Sequence, residues 1–377
     1  MNTLMIENQA IRRPLWRRVV GSSVVNALAA PHGMSRYLEA IDPLLAVDTI
    51  RARVIEVRRE TEAAVTLVMK PNGNWQGFVP GQYLGVTVEI DGVAHTRCYS
   101  LSGAPRKGVI QITVKRKPGG KVSPFINEQI RAGDVLTLSV AGGDFVLPAE
   151  LPEKMLFIAG GSGITPMMSM LRTLFAAERE GKGYAGEVTL LYYNNRPADT
   201  IFGDELSQLA ARHVNFRLIR VYSDSDLGEM KGLFAAEQLA ATGLDLAVTP
   251  AWLCGPEPLM NLVEAHYAAQ GFSQQLHLER FALPGMQANA ADGIDGELRF
   301  LKSERYVAAD GRSLLDQAEA AGLSPESGCR MGICHTCTCR KVSGSVRNLQ
   351  TGEISSGPDE DIRICISAPV GDVTLDI

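Results

Sequence analysis

Three cysteines share one glycine-containing loop, Cys329, Cys334 and Cys337, in a C-x4-C-x2-C run, and a fourth, Cys365, follows after a short segment. Thiolates at this spacing are the ligand set of a [2Fe–2S] cluster. Gly328 and Gly332 let the backbone curl close to the sulfurs, so that N–H groups can point at them. Zinc, the competing reading, usually takes pairs of closely spaced ligands from two loops. A group of buried free thiols is the other alternative. The spacing, with redox motifs elsewhere in the chain, predicts electron transfer. Cys339 is surplus to four ligands and is expected as a buried thiol on the strand leaving the loop. His335 reads as a solvent-side loop residue, because Rieske-type ligation needs two histidines on one iron.

Three further groups of residues carry chemistry. In Arg97-Cys98-Tyr99-Ser100, residues two apart on a strand share a face, so Arg97 and Tyr99 project together. Arg97 offers a planar donor fork to phosphate, Tyr99 a flat ring for stacking on a flavin, and Ser100 a hydroxyl to a flavin ring nitrogen. In Gly119-Gly120-Lys121-Val122-Ser123-Pro124, Ser123 reads as an N-cap and Pro124 as the first residue of a helix to Ile130 whose free N–H groups face an anion. Gly160-Gly161-Ser162-Gly163-Ile164-Thr165-Pro166 follows a short apolar strand, Met155 to Ala159, and precedes a helical run from Met167 to Ala177. Its glycines permit a tight turn and close approach of a pyrophosphate. Cys254-Gly255-Pro256 ends another apolar strand, at the edge of a parallel sheet where ligands bind; Cys254 is otherwise a small buried hydrophobe.

The elements that must hold these groups divide the chain. Residues 1–50 form a helical extension: Leu15, Trp16, Val19, Val20, Val24, Ala27 and Leu28 recur at helical spacing among Arg12, Arg13, Arg17 and Arg18. Such a helix either lies on a membrane through residues 11–30 or docks on its own protein core. A second helical piece is expected from Tyr37 to Leu45. Residues 51–150 alternate with period two, as in Leu84, Val86, Val88 and Ile90, and predict an antiparallel barrel with turns such as Asp91-Gly92. Residues 151–282 alternate strands with helices and predict a parallel α/β sheet, with strands at Val188 to Tyr193, Phe216 to Tyr222 and Ala251 to Leu253. Residues 283–296 read as a linker, and residues 297–377 return to strands from Leu298 to Tyr306, then a helix from Ser313 to Ala321. With 37 Lys+Arg against 42 Asp+Glu in 377 residues, no basic field points to nucleic acid. Apolar stretches fall short of a membrane span, and Met1 to Ala10 has no secretory pattern. Seven cysteines, mostly clustered as ligands, favour a reducing cytoplasm.

The flavin motifs, in this order within one β-patterned domain, resemble the ferredoxin–NADP reductase superfamily, and the resemblance extends over residues 51–377. It implies an FAD-binding β-barrel, an NAD(P)-binding α/β domain and a β-grasp 2Fe-2S ferredoxin domain. Ala141-Gly142-Gly143-Asp144-Phe145 departs from the family's G-P-x-G-x-F turn, which bears on FAD against FMN. By resemblance Gly120 and Ser123 belong to the flavin site. Gly161, Gly163 and Thr165 form the nicotinamide-binding turn, and Cys254, Gly255 and Pro256 lie near the hydride-transferring carbon. The implied activity is an NAD(P)H oxidoreductase with FAD and a [2Fe–2S] cluster. NADPH is favoured by the resemblance and by Arg196, whereas Asp224 and Asp226 would repel a 2′-phosphate. Pro31-His32-Gly33, Arg36-Tyr37-Leu38, Asp42-Pro43-Leu44 and Ile50-Arg51-Ala52-Arg53 look like the extension of bacterial reductases that supply stearoyl-CoA desaturases. That implies a fatty-acyl desaturase as electron acceptor, met at the inner face of the membrane, with a Rieske dioxygenase, diiron monooxygenase or alkane hydroxylase as alternative. A redox-sensing protein is the remaining reading.

Overall fold

The computed structural model describes residues 33–176, 183–281, 296–328, 330, 332, 336–349 and 352–377. The expected helix over residues 11–30, most of the linker, and Cys329, Cys334 and His335 lie outside the described residues. The chain divides into two compact units, the first ending at Glu279 and the second beginning at Arg280 and also taking in His95–Arg97. No helix among the described residues is long and apolar enough to cross a membrane.

The second helical piece is two elements: helix α1 (Gly33–Ile41) and a short 3-10 turn, Pro43–Leu45, capped by the Asp42 carboxylate accepting from Leu44 N at 3.0 Å. The proline at its start sets the break. This segment is fastened to the first barrel strand by Arg51–Glu39 at 3.0 Å and Arg53–Asp42 at 2.8 Å. The side-chain amides of Asn72 and Asn74 donate to the carbonyls of Ala46 and Thr49. Residues 33–49 are thus docked on protein.

Strands β1 (Ile50–Thr61), β2 (Ala64–Pro71), β3 (Tyr83–Ile90), β4 (Val93–Ser100), β5 (Ile110–Lys115) and β6 (Val135–Leu138) form one sheet in the order β4-β3-β6-β1-β2-β5. Period-two alternation turns Leu67, Met69, Leu84, Val86, Ile112 and Leu136 into its core, where burying each side chain is worth roughly 2 kcal/mol. Asp91 and Gly92 both take positive φ, 53° and 76°, the demand of a tight hairpin turn between β3 and β4.

The second sheet is parallel: β7 (Lys154–Gly160), β8 (Glu187–Asn194), β9 (Phe216–Tyr222), β10 (Met230–Lys231), β11 (Ala251–Cys254) and β12 (Leu276–Glu279), in the order β10-β9-β8-β7-β11-β12. The strand order reverses direction between β7 and β11, so their C-terminal ends flank the crevice where such sheets take ligands.

The second unit carries β13 (Glu297–Phe300), β14 (Arg305–Ala308), β15 (Thr338–Asn348), β16 (Ile354–Ser355), β17 (Glu360–Arg363) and β18 (Ser367–Leu375). The β-pattern expected from Leu298 to Tyr306 is a hairpin, turned at Glu304 with φ 49° and closed by Glu304 N to Leu301 O at 3.3 Å. Its first strand runs parallel to β18, and the helix Leu314–Ala320 packs Leu314, Leu315 and Ala318 on the same core, with the Ser313 hydroxyl accepting from Asp316 N as the N-cap. Lys341, fully buried on β15, ties β16 and β17 to it through Ser355 O at 3.0 Å and Glu360 Oε2 at 3.0 Å; a buried ammonium needs such partners.

Candidate active site

The glycine turn after β7 is built against the turn after β11. Gly161 has φ +52°, a conformation that glycine adopts without strain. A methyl group on Gly163 would sit 2.1 Å from the Cys254 carbonyl oxygen, and one on Gly160 would sit 2.5 Å from Pro256 Cδ. Only hydrogen fits at both positions. The helix expected from Met167 begins earlier, as a 3-10 turn, Gly161–Gly163, running into Ile164–Ala176. Thr165 is buried, its hydroxyl donating to Ser162 O at 3.0 Å, so it braces the turn from within. The buried hydroxyl of Tyr192 on β8 donates to Gly161 O at 3.0 Å.

These turns border a cavity of about 380 Å³ whose lining includes Lys115, Gly161, Asn194, Ser223, Leu233 and Pro256. Glycine backbone, a lysine ammonium and apolar walls suit a dinucleotide's pyrophosphate and base. Arg196 is not among the lining residues; it is largely exposed, its Nε 3.2 Å from Asp199 Oδ2, and Asp199 does line the cavity.

Strand β4 places Arg97, Tyr99 and Ser100 along the barrel. Tyr99 packs half-buried against the barrel core, the Arg97 guanidinium donates to Thr96 O at 2.7 Å, and Ser100 is buried. The second flavin motif needs a correction. Its helix spans Val122–Glu128, not Pro124 to Ile130, and Ser123 is not the N-cap. The Ser123 hydroxyl accepts from Lys117 N at 3.0 Å, so it closes the preceding loop instead, while Gly120 N donates to Lys117 O at 3.0 Å.

The two halves of the first unit meet at Ser100, whose Oγ donates to Glu279 Oε2 at 3.3 Å in a buried position. Glu279 sits opposite Cys254 in the parallel pairing of β12 with β11. Burial pushes the Glu279 carboxyl up to about 8. Burial, and secondarily Glu279, raises the Cys254 thiol well above its usual range, so it stays protonated. Sequence reading missed Glu279; the available signal was an acid closing the apolar edge strand Leu276–Glu279.

In the second unit, Cys337 and Cys365 are buried with their sulfurs 3.0 Å apart. Gly332 has φ +72°, and a methyl group there would lie 2.5 Å from Ile366 Cδ1. Gly332 therefore lies close against Ile366, the residue after Cys365. Cys339 lies on β15 as expected but is half-exposed rather than buried.

Three family models match the chain: an oxidoreductase FAD-binding domain over residues 52–146, an oxidoreductase NAD-binding domain over residues 157–265, and a 2Fe-2S iron-sulfur cluster binding domain over residues 300–370. The chain belongs to the ferredoxin reductase superfamily, as an oxidoreductase that fuses FAD-binding, NAD-binding and 2Fe-2S domains. A protein named NADPH oxidoreductase, from Mycobacterium tuberculosis (strain ATCC 25618 / H37Rv), is 36% identical over 374 residues, which span 98% of this chain and 94% of that one. The ferredoxin reductase component of 3-ketosteroid-9-alpha-monooxygenase from Mycobacterium tuberculosis (strain CDC 1551 / Oshkosh) is 31% identical, over 89% of this chain and 97% of that one. Among solved structures, phthalate dioxygenase reductase superposes with a TM-score of 0.59 over 88% of this chain and 98% of that one; at 22% identity it speaks for the fold alone.

Proposed function

We propose that this chain draws electrons from NADPH and supplies them to a fatty-acyl desaturase. With its flavin and cluster bound, such a chain would accept one hydride, two electrons at once, from reduced nicotinamide and release the electrons singly to an acceptor. The observation that carries the first step is the buried contact of Ser100 with Glu279 beside Cys254. The Ser100 hydroxyl donates to the Glu279 carboxyl, and were it to give up its proton to a bound flavin, the Glu279 carboxyl, protonated at neutral pH, would replace that proton. Ser100 in turn serves a flavin ring nitrogen. Cys254 stays a neutral thiol, shaping the nicotinamide pocket with Gly255 and Pro256 and keeping water out.

The remaining residues bind and orient. Arg97 would take a flavin phosphate, Tyr99 would stack on the ring, and the Gly120–Ser123 loop would offer backbone N–H groups. Gly161 and Gly163, braced by Thr165, admit the coenzyme pyrophosphate, and Lys115 adds a charge to it. Arg196, released from Asp199, pairs with the 2′-phosphate. Cys329, Cys334, Cys337 and Cys365 hold the cluster. The name of the relative spanning 98% of the chain supports NADPH, and the motifs of the N-terminal extension support a desaturase, reached at the cytoplasmic membrane face through residues 11–30. The 3-ketosteroid-9-alpha-monooxygenase reductase component favours, as second reading, a Rieske or diiron oxygenase acceptor. Reconstitution decides between them: purified protein with NADPH is given a desaturase in vesicles and, in parallel, an oxygenase component. Desaturation at a rate well above the oxygenase arm is expected, and the reverse ordering removes the desaturase.

A further inference from the structure

The glycine turn after β7 and the strand that ends in Ser100 are joined through one helix. Ile164–Ala176 begins at the Gly161–Gly163 turn and meets the barrel one to two helical turns further on. Ser169 and Arg172, three residues apart, share the face that does so. The Ser169 hydroxyl donates to Gly103 O at 2.7 Å in a buried position. Arg172 Nη1 donates to Ser102 O at 2.8 Å and to Gln111 Oε1 at 3.0 Å. Between them, Met170 Cε lies 2.5 Å from where a methyl group on Gly81 would sit.

The receiving segment, just beyond Ser100, is itself fixed. Leu101 N donates to Gln82 O and Ser102 N to Gln111 O, each at 2.9 Å, and the buried hydroxyls of Ser102 and Thr113 are 2.9 Å apart. The rest of the Arg172 fork is held on the coenzyme side. Its Nε and Nη2 donate to the two carboxylate oxygens of Glu205 at 2.8 and 2.6 Å, a bidentate pair in the first turn of the helix Gly203–Arg212. The guanidinium carbon also stands 4.8 Å from the centre of the Phe202 ring. One side chain thus ties two helices of the coenzyme domain to the segment that follows the flavin-binding strand.

We propose that Arg172 is a positioning residue for hydride transfer: with Ser169, it sets how far the nicotinamide-binding turn stands from the strand of Tyr99 and Ser100. The proposal rests on the reading of those two elements as coenzyme and flavin sites. A helix is stiff over two turns, so a displacement at Ser102 is passed along it to Ile164. Hydride transfer tolerates little of that, since a misplacement of about 1 Å can cost on the order of a hundredfold. Coenzyme affinity has a different source, because the named lining of the coenzyme cavity comes from residues 160–262 except for Lys115. The rate of the hydride step and the affinity should therefore separate.

The test compares the full-length, flavin-loaded parent with Arg172→Met, which loses the bonds to Ser102, Gln111 and Glu205, and with Arg172→Lys, which lacks the fork to hold both sides at once. Loss of the guanidinium strands no buried charge, because the Glu205 side chain is 41% exposed. Rapid anaerobic mixing with NADPH reads the limiting rate of flavin bleaching and, from its concentration dependence, the coenzyme Kd. Addition of NADP+ to the oxidised protein reads the shift in flavin absorbance that ring contact causes. Arg172→Met is expected to bleach about tenfold more slowly, with Kd within about twofold of the parent's and a smaller absorbance shift. Arg172→Lys is expected to fall between the two. If Arg172→Met retains no flavin, Ser169→Ala, which deletes only the bond to Gly103, takes its place, with a several-fold slower limiting rate at parental Kd expected. A parental limiting rate overturns the positioning role, as does a rate that falls only in step with a weakened Kd. A parent whose flavin neither NADPH nor NADH bleaches defeats instead the reading of the two sites beneath it.

Discussion

At the scale of single residues, the carboxyl of Glu279 couples chemistry to pH. Its value in the folded protein, about 8, stands above the ordinary 4.5 because burial disfavours the anion. The native state therefore binds the extra proton between these two values, and stability is fully present below about 4.5 and declines as pH rises through about 8. Glu279→Gln removes that slope, so its melting temperature should vary less between pH 5 and pH 8.5 than the parent's. The same substitution should lower NADPH-to-ferricyanide turnover on the order of a hundredfold while flavin content stays intact. It should also abolish the fall in activity on the alkaline side. An unchanged alkaline limb in the variant would assign that limb to another group. Arg196→Ala should raise KM for NADPH roughly fivefold, the worth of about 1 kcal/mol for an exposed charge pair, and leave KM for NADH alone. Equal losses with both coenzymes would remove Arg196 from the 2′-phosphate.

At the scale of elements, the decisive feature is the pair of seated turns at the switch point of the parallel sheet. Gly163→Ala drives a methyl into the Cys254 carbonyl, so backbone must shift at both turns. KM for the coenzyme should rise at least tenfold in a protein that retains its flavin, because the barrel has its own core. A parental KM would show that the turns yield cheaply. Much of this layer was legible beforehand, since Asp91-Gly92, the glycine run after β7 and the cysteine spacing each write a backbone requirement into consecutive residues. What was not legible depends on distant partners. Glu279 acquires its meaning from Ser100, on another domain, and nothing in Leu276–Glu279 announces that neighbour. Ser123 has the residue type and position of a cap, yet its hydroxyl is claimed by Lys117. The hairpin inside residues 298–306 turns at a glutamate, with no glycine or proline to mark it.

At the scale of the whole molecule, two compact units imply separable losses. Cys334→Ser should eliminate the iron–sulfur absorption and cytochrome c reduction while NADPH-to-ferricyanide turnover continues near the parental rate. Loss of ferricyanide activity in a flavin-loaded variant would contradict the order of carriers. Deleting residues 1–30 leaves the ion pairs of Glu39 and Asp42 in place. Turnover with soluble acceptors should therefore persist, whereas binding to anionic vesicles and delivery to a membrane-embedded desaturase should fall. An insoluble truncated protein would assign that segment to the folded core instead. The close seating of Gly160 and Gly163 on Cys254, Gly255 and Pro256 also bears on heredity. Residues far apart in the gene form one mechanical part, so recombination among related reductases would preserve it only when both turns descend from the same parent. Chimeras with crossovers before Lys154 and after Glu279 should survive, and those cut between the turns should fail most often, which makes the coenzyme half of the first unit the natural unit of exchange.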